Sequence, residues 1–147
     1  MSTVRFARFL LMVGLWSTLP EHVGFQLKAR HVHLIGVCGT GMGALAGLLR
    51  SQGHRVTGSD LAFHAPMGPK LLDWGVETFE GYVPEHLSPA PDLVVVGNVC
   101  RRDNPEARAA IDGGLPYTSM AGVLKDEFLS RRPSLVIAGT HGKTTTT

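Results

Sequence analysis

The stretch that most constrains this chain is His31–Arg50, HVHLIGVCGTGMGALAGLLR. An apolar run (Val32, Leu34, Ile35, Val37) enters a glycine cluster, and a helix-like segment leaves it. Gly36, Gly39, Gly41 and Gly43 leave the turn nearly free of Cβ atoms. Successive backbone N–H groups can therefore close on an anion, and the N-terminus of the following helix adds partial positive charge. Gly39-Thr40-Gly41-Met42-Gly43-Ala44 matches G-x-G-x-x-A, the looser form of the fingerprint with which βα turns grip a pyrophosphate. Alone, the loop announces a phosphate near a βα turn and leaves the rest of the ligand open.

The chain has 147 residues, room for about one domain, and 44% hydrophobic residues, enough for a core. A formal charge of +2 without a basic stripe or an aromatic ladder argues against a nucleic-acid partner. Cys38 and Cys100 lack C-x-x-C spacing, and one of them sits inside the glycine loop. They read as free thiols in a reducing, cytoplasmic compartment. His31 and His33 alternate on one strand face, but no further ligands at zinc-like spacing accompany them.

Residues 1–30 differ from the rest. Arg5 and Arg8 precede the apolar run Phe9–Trp16, in the manner of a secretory leader. The run is shorter than the about 20 residues that cross a bilayer, and Leu19-Pro20-Glu21 is a poor cleavage site. An atypical N-terminal extension of a cytoplasmic protein is the favoured reading, with no membrane association; an exported protein is the alternative.

From His31 onward, strands and helices alternate. Strands are expected at His31–Val37, Arg55–Gly58, Val76–Phe79, Asp92–Gly97, Leu115–Ser119 and Ser134–Ala138. Helices are expected at Met42–Gln52, Lys70–Trp74, Glu106–Asp112 behind Pro105, and Ala121–Leu129, with a helical turn at Pro84–Leu87. Repeated βα units imply an α/β fold with a doubly wound parallel sheet and right-handed crossovers. Arg131-Arg132-Pro133 is the best candidate for a domain boundary.

A second glycine loop follows the last strand. In Gly139-Thr140-His141-Gly142-Lys143-Thr144 the backbone can wrap phosphates, Lys143 adds a positive charge, and the Thr144 hydroxyl can ligate magnesium. The full P-loop pattern asks for glycine at position 137, where this chain has Ile137, so only a shortened form remains. The bland alternative is a strand end followed by a polar threonine tail.

With both loops in view, the chain resembles the Mur ligases, which build the peptide stem of bacterial cell-wall precursors. AGTHGKTTTT resembles their ATP-binding loop, and Gly36–Met42 with Gly58-Ser59-Asp60 resembles their UDP-sugar-binding first domain. Two branches of the family act on UDP-N-acetylmuramate: one adds L-alanine, and one attaches the salvaged tripeptide L-alanyl-γ-D-glutamyl-meso-diaminopimelate. Cys38-Gly39-Thr40, Gly97-Asn98, Gly81-Tyr82 and Pro116-Tyr117-Thr118-Ser119 resemble the recycling branch.

The resemblance implies three parts: an extension at 1–30 foreign to the family, a Rossmann-like UDP-sugar-binding domain at 31–130, and the first strand and P-loop of a truncated ATPase domain at 131–147. It implies ATP and magnesium as cofactors, with Gly139, Thr140, His141, Gly142, Lys143, Thr144 and Thr145 around ATP. Lys143 and Thr144 would be the catalytic residues, and Thr144 the magnesium ligand. In the family, ATP activates the muramate lactyl carboxylate as an acyl phosphate, which the incoming amine attacks to form an amide.

The expected substrate-binding residues are Cys38, Gly39, Thr40, Gly41, Met42, Asp60, Asn98 and Ser119. Asp60 could instead cap the next turn, and Asn98 and Ser119 could instead shape their loops. His141 fits a loop-shaping role better than proton transfer. The domain that would bind the tripeptide lies beyond this stretch, so the chain alone is expected to turn over nothing. A fragment of the L-alanine-adding ligase and a non-catalytic nucleotide-binding module are the alternative readings.

Overall fold

The computed structural model describes residues 29–130, apart from Val99 and Arg102, together with Pro133. Residues 1–28 of the extension at 1–30, the expected strand Ser134–Ala138 and the loop Gly139–Thr147 lie outside the described residues.

Five strands form one parallel sheet: β1 (His31–Ile35), β2 (Arg55–Asp60), β3 (Glu77–Glu80), β4 (Leu93–Val96) and β5 (Tyr117–Ser119). The helices are α1 (Thr40–Ser51), α2 (Met67–Asp73), α3 (Pro105–Asp112) and α4 (Met120–Val123), with a 3-10 turn at Pro84–Leu87. The sheet order is β3-β2-β1-β4-β5. The chain winds outward from β1 through β2 to β3, then returns to the other side of β1 for β4 and β5. The winding reverses between β1 and β4, and ligands of open α/β sheets bind outside the carboxyl ends of such a pair.

The α/β, doubly wound reading holds for the described sheet. Several element boundaries move, each for a local reason. β1 stops at Ile35 rather than Val37, because Gly36 turns the chain at φ 84. The Gly36 and Val37 N–H groups then both donate to Ser59 O, at 2.8 and 3.0 Å. α1 starts at Thr40, two residues before the expected Met42, directly after the extended Gly39. α2 starts at Met67 instead of Lys70, since Pro69 falls in the first turn, where its missing N–H has no intrahelical partner to lose. The segment expected as the helix Ala121–Leu129 begins at Met120 and widens to π-helix over Leu124–Leu129.

Alternation along β1 divides the core. Val32 and Leu34 face α1 and α2 and join Leu45, Leu49, Val56 and Leu71 in the larger apolar cluster. Ile35 faces the other way, into a smaller cluster with Leu87, Val94, Ala107 and Ala110 beneath α3. His33 shares that second face and is fully buried.

Candidate functional site

The two loops leaving β1 and β4 face each other across a cleft of ≈ 180 Å³ lined by Gly36, Gly39, Thr40, Gly41, Met42, Gly97, Asn98 and Met120. One wall is the start of α1. Gly39 caps it without a side-chain hydrogen bond, and its first turn holds no acidic residue. The first intrahelical bond runs from Gly43 N–H to Gly39 O at 2.7 Å, so the N–H groups of Thr40, Gly41 and Met42 have no partner among the described residues. Three unpaired donors at the positive end of a helix dipole form a site for an anion.

The opposite wall is Gly97-Asn98. Gly97 N–H donates to Ile35 O at 3.0 Å. A Cβ at position 97 would lie 2.8 Å from that oxygen, so only glycine lets the end of β4 come this close to β1. Asn98 is exposed at the cleft and also borders a neighbouring cavity of ≈ 390 Å³ that reaches Arg101, Arg108, Tyr117 and Ser119.

Asp60 stands behind the glycine loop. Its Oδ2 accepts from Cys38 N–H at 2.8 Å, and its Oδ1 accepts from Leu61 N–H at 2.8 Å and from the Tyr82 hydroxyl at 3.2 Å. These bonds hold the loop and the turn that flank the end of β2. The Cys38 N–H is thereby committed and is not among the three free donors. Burial, with the Asp60 carboxylate next in importance, pushes the Tyr82 phenol far above its ordinary range, so it stays a donor.

Gly39, Thr40, Gly41, Met42 and Asn98 thus meet around one cleft, while Cys38 and Asp60 brace it from behind. Ser119 lines the neighbouring cavity, and its Oγ caps α4 by accepting from Gly122 N–H at 3.2 Å. Gly139, Thr140, His141, Gly142, Lys143, Thr144 and Thr145 lie outside the described residues. Tyr82 and Met120 were not among the expected site residues. Nothing local to either reveals its place, because Tyr82 reaches Asp60 across 22 positions of sequence.

Both cysteines are free thiols. Burial raises the Cys100 thiol, which leans on Ile35 O at 3.6 Å. No cluster of three or more metal-ligating side chains occurs among the described residues. A larger groove of ≈ 670 Å³ beside Leu48 and Trp74 lies on the outer face of α1, away from the strand ends.

A helix N-terminus with no side-chain cap at the switch point of a parallel sheet is the arrangement in which open α/β domains take phosphate-bearing ligands. Comparison with known proteins narrows the class. The profile of the Mur ligase family, catalytic domain, matches residues 31–132, and the chain belongs to that family.

The UDP-N-acetylmuramate--L-alanyl-gamma-D-glutamyl-meso-2,6-diaminoheptandioate ligase of Escherichia coli is 47% identical over 115 residues, covering 78% of this chain and 25% of that protein. The UDP-N-acetylmuramate--L-alanine ligase of Methylobacillus flagellatus is 41% identical over 120 residues, covering 82% of this chain and 25% of its own length. The crystal structure of a murein peptide ligase from Psychrobacter arcticus superposes with a TM-score of 0.76 at 49% identity, covering 80% of this chain and 25% of that one. The chain spans about a quarter of the length of the curated relatives it matches.

Proposed function

We propose that this chain is the UDP-N-acetylmuramate-binding part of an ATP-dependent ligase that joins that nucleotide sugar to the recycled tripeptide L-alanyl-γ-D-glutamyl-meso-diaminopimelate. The observation that carries the reading is the cleft between the α1 N-terminus and Gly97-Asn98. Its three free N–H groups suit the pyrophosphate of a UDP-sugar, and Gly39 and Gly41, which carry no Cβ, leave room for it. Asn98 offers an amide donor and acceptor to the sugar or ribose hydroxyls.

Asp60 supports this grip indirectly by holding Cys38, and Ser119 by starting α4. Lys143 would meet the triphosphate and Thr144 the magnesium ion, within the loop Gly139–Thr145. Bound ATP and magnesium would supply the phosphoryl group that activates the lactyl carboxylate for amide formation. This chain's described residues hold and orient the substrate. Residues 31–130 form the substrate-binding domain in this reading, 131–147 open the ATP-binding domain, and 1–30 are an added extension. Among the described residues no helix is long and apolar enough to cross a membrane.

The L-alanine-adding ligase is the second reading, supported by the relative of that name at 41% identity. Cys38-Gly39-Thr40 and Gly97-Asn98 favour the recycling branch. Titrating UDP-N-acetylmuramate into the labelled protein tests the site: the amide signals of Thr40, Gly41, Met42 and Asn98 should shift together. Shifts confined to the Leu48–Trp74 groove would remove the proposal.

A further inference from the structure

α3 carries a carboxylate where a short helix lying on a sheet would ordinarily bury an apolar side chain. Glu106, in its first turn, is 0% exposed, and so is His33 on β1. His33 Nε2 lies 2.7 Å from Glu106 Oε1, and His33 Nδ1 lies 2.7 Å from Thr57 Oγ1. Thr57 Oγ1 also meets His31 Nε2 at 3.0 Å. A hydroxyl has one hydrogen, so Thr57 donates to at most one of the two rings, and His33 links Thr57 on β2 to Glu106 on α3.

Elsewhere α3 packs through the methyl groups of Ala107 and Ala110 against Ile35, Leu87 and Val94, apolar contacts that carry no direction. Among the described residues, Glu106–His33 is the only hydrogen bond from an α3 side chain to the sheet. His86 approaches the same carboxylate oxygen at 3.7 Å, beyond hydrogen-bond reach, while its ring stacks on Phe79.

α3 in turn ends the loop that carries Asn98. Asn104 caps the helix by accepting from Ala107 N–H at 2.9 Å. Two turns, Asn104 N–H to Arg101 O and Cys100 N–H to Gly97 O, each 3.0 Å, join that cap to the end of β4. Both walls of the phosphate cleft are therefore referred to one strand: the glycine loop by chain continuity from β1, the start of the 97–104 loop by Gly97 N–H on Ile35 O, and its far end through Glu106.

We propose that Glu106, through His33, is a positioning residue for the 97–104 loop, setting Asn98 opposite the N–H groups of Thr40, Gly41 and Met42. This rests on the reading of that cleft as the UDP-sugar site. Removing one partner alone leaves a buried polar group unpaired. Replacing both by apolar groups of similar shape keeps stability while deleting the directed bond.

The test uses the full chain with two variants, Glu106→Gln and the double variant His33→Leu/Glu106→Met. Two quantities are read well below each variant's Tm: affinity for UDP-N-acetylmuramate, and amide hydrogen exchange of residues 97–104 without ligand. The double variant should keep a native-like Tm, bind about tenfold more weakly and exchange faster in the loop. Glu106→Gln, which keeps a hydrogen-bonding amide within reach of His33 Nε2, should restore both quantities. Native affinity and native loop exchange in the double variant overturn the proposal, as does Glu106→Gln behaving like the double variant. If the unaltered chain does not bind the nucleotide sugar, the functional reading falls, and the loop-exchange measurement still decides the role of Glu106.

Discussion

Asp60 Oδ2 accepts a hydrogen bond from the Cys38 N–H at 2.8 Å, so the end of β2 ties down the first half of the phosphate loop that leaves β1. A carboxylate facing a phosphate site would repel it. Turned onto Cys38, Leu61 and Tyr82, the same carboxylate becomes a brace, and the donors further along the loop stay free for an anion.

Removal of that brace should be costly. Asp60→Ala leaves the Cys38 and Leu61 N–H groups and the Tyr82 hydroxyl without their acceptor. A loss of about 1–3 kcal/mol in denaturant unfolding is expected, together with weaker nucleotide-sugar binding. Asp60→Asn, which retains one oxygen, should lose less of both.

Tyr82 gives a signature at alkaline pH. Its phenol titrates higher in the folded chain than in the unfolded one, so above about 10 the unfolded state sheds its proton first. Stability should therefore fall as pH climbs past about 10. In Tyr82→Phe that component should vanish, leaving a shallower decline in chemical denaturation between about pH 9 and 11.

His54 works in the opposite range. It is 2% exposed, and its Nδ1 accepts from the Arg30 N–H at 3.2 Å. Burial, the largest cause, lowers its pKa from 6.5, with Glu127 opposing and Arg30 assisting. The unfolded chain then takes up the proton first as pH falls through 6.5, and stability declines with it. Denaturant unfolding of His54→Gln against the unaltered chain, from about pH 8 to 5, should show a smaller acid loss in the variant.

Gly97 and Gly41 separate a packing constraint from a tolerant position. A Cβ at Gly97 would meet the Ile35 backbone oxygen at 2.8 Å, which cannot yield without opening β4 from β1. A Cβ at Gly41 would meet the end of the Met120 side chain at 3.3 Å, which can move. Gly97→Ala should cost about 1–3 kcal/mol and weaken binding, whereas Gly41→Ala should leave the thermal midpoint nearly unchanged.

The legible parts of this fold were those where local pattern and tertiary burial agree. The apolar run through Val32, Leu34 and Ile35 followed by glycines reads as a buried strand entering a tight turn, and β1 is buried as that pattern asks. The α1 start at Thr40 was harder to read, because Gly41 and Gly43 are poor helix formers whose missing side chains leave room for Met120 and Met67. Glu106 was invisible as a buried residue: a glutamate in the first turn of a helix normally faces water, and its partner lies 73 positions away. Asp60 could be read two ways from its position at the strand end, and its bonds to Cys38 and Tyr82, 22 positions away on either side, are not visible in the local sequence.

The account stands most directly on what the cleft between α1 and Gly97-Asn98 binds, and calorimetry on the intact chain measures it. UDP-N-acetylmuramate should bind with 1:1 stoichiometry, UDP alone more weakly, and NADH not at all. Binding of NADH with no heat from UDP-N-acetylmuramate would contradict the account.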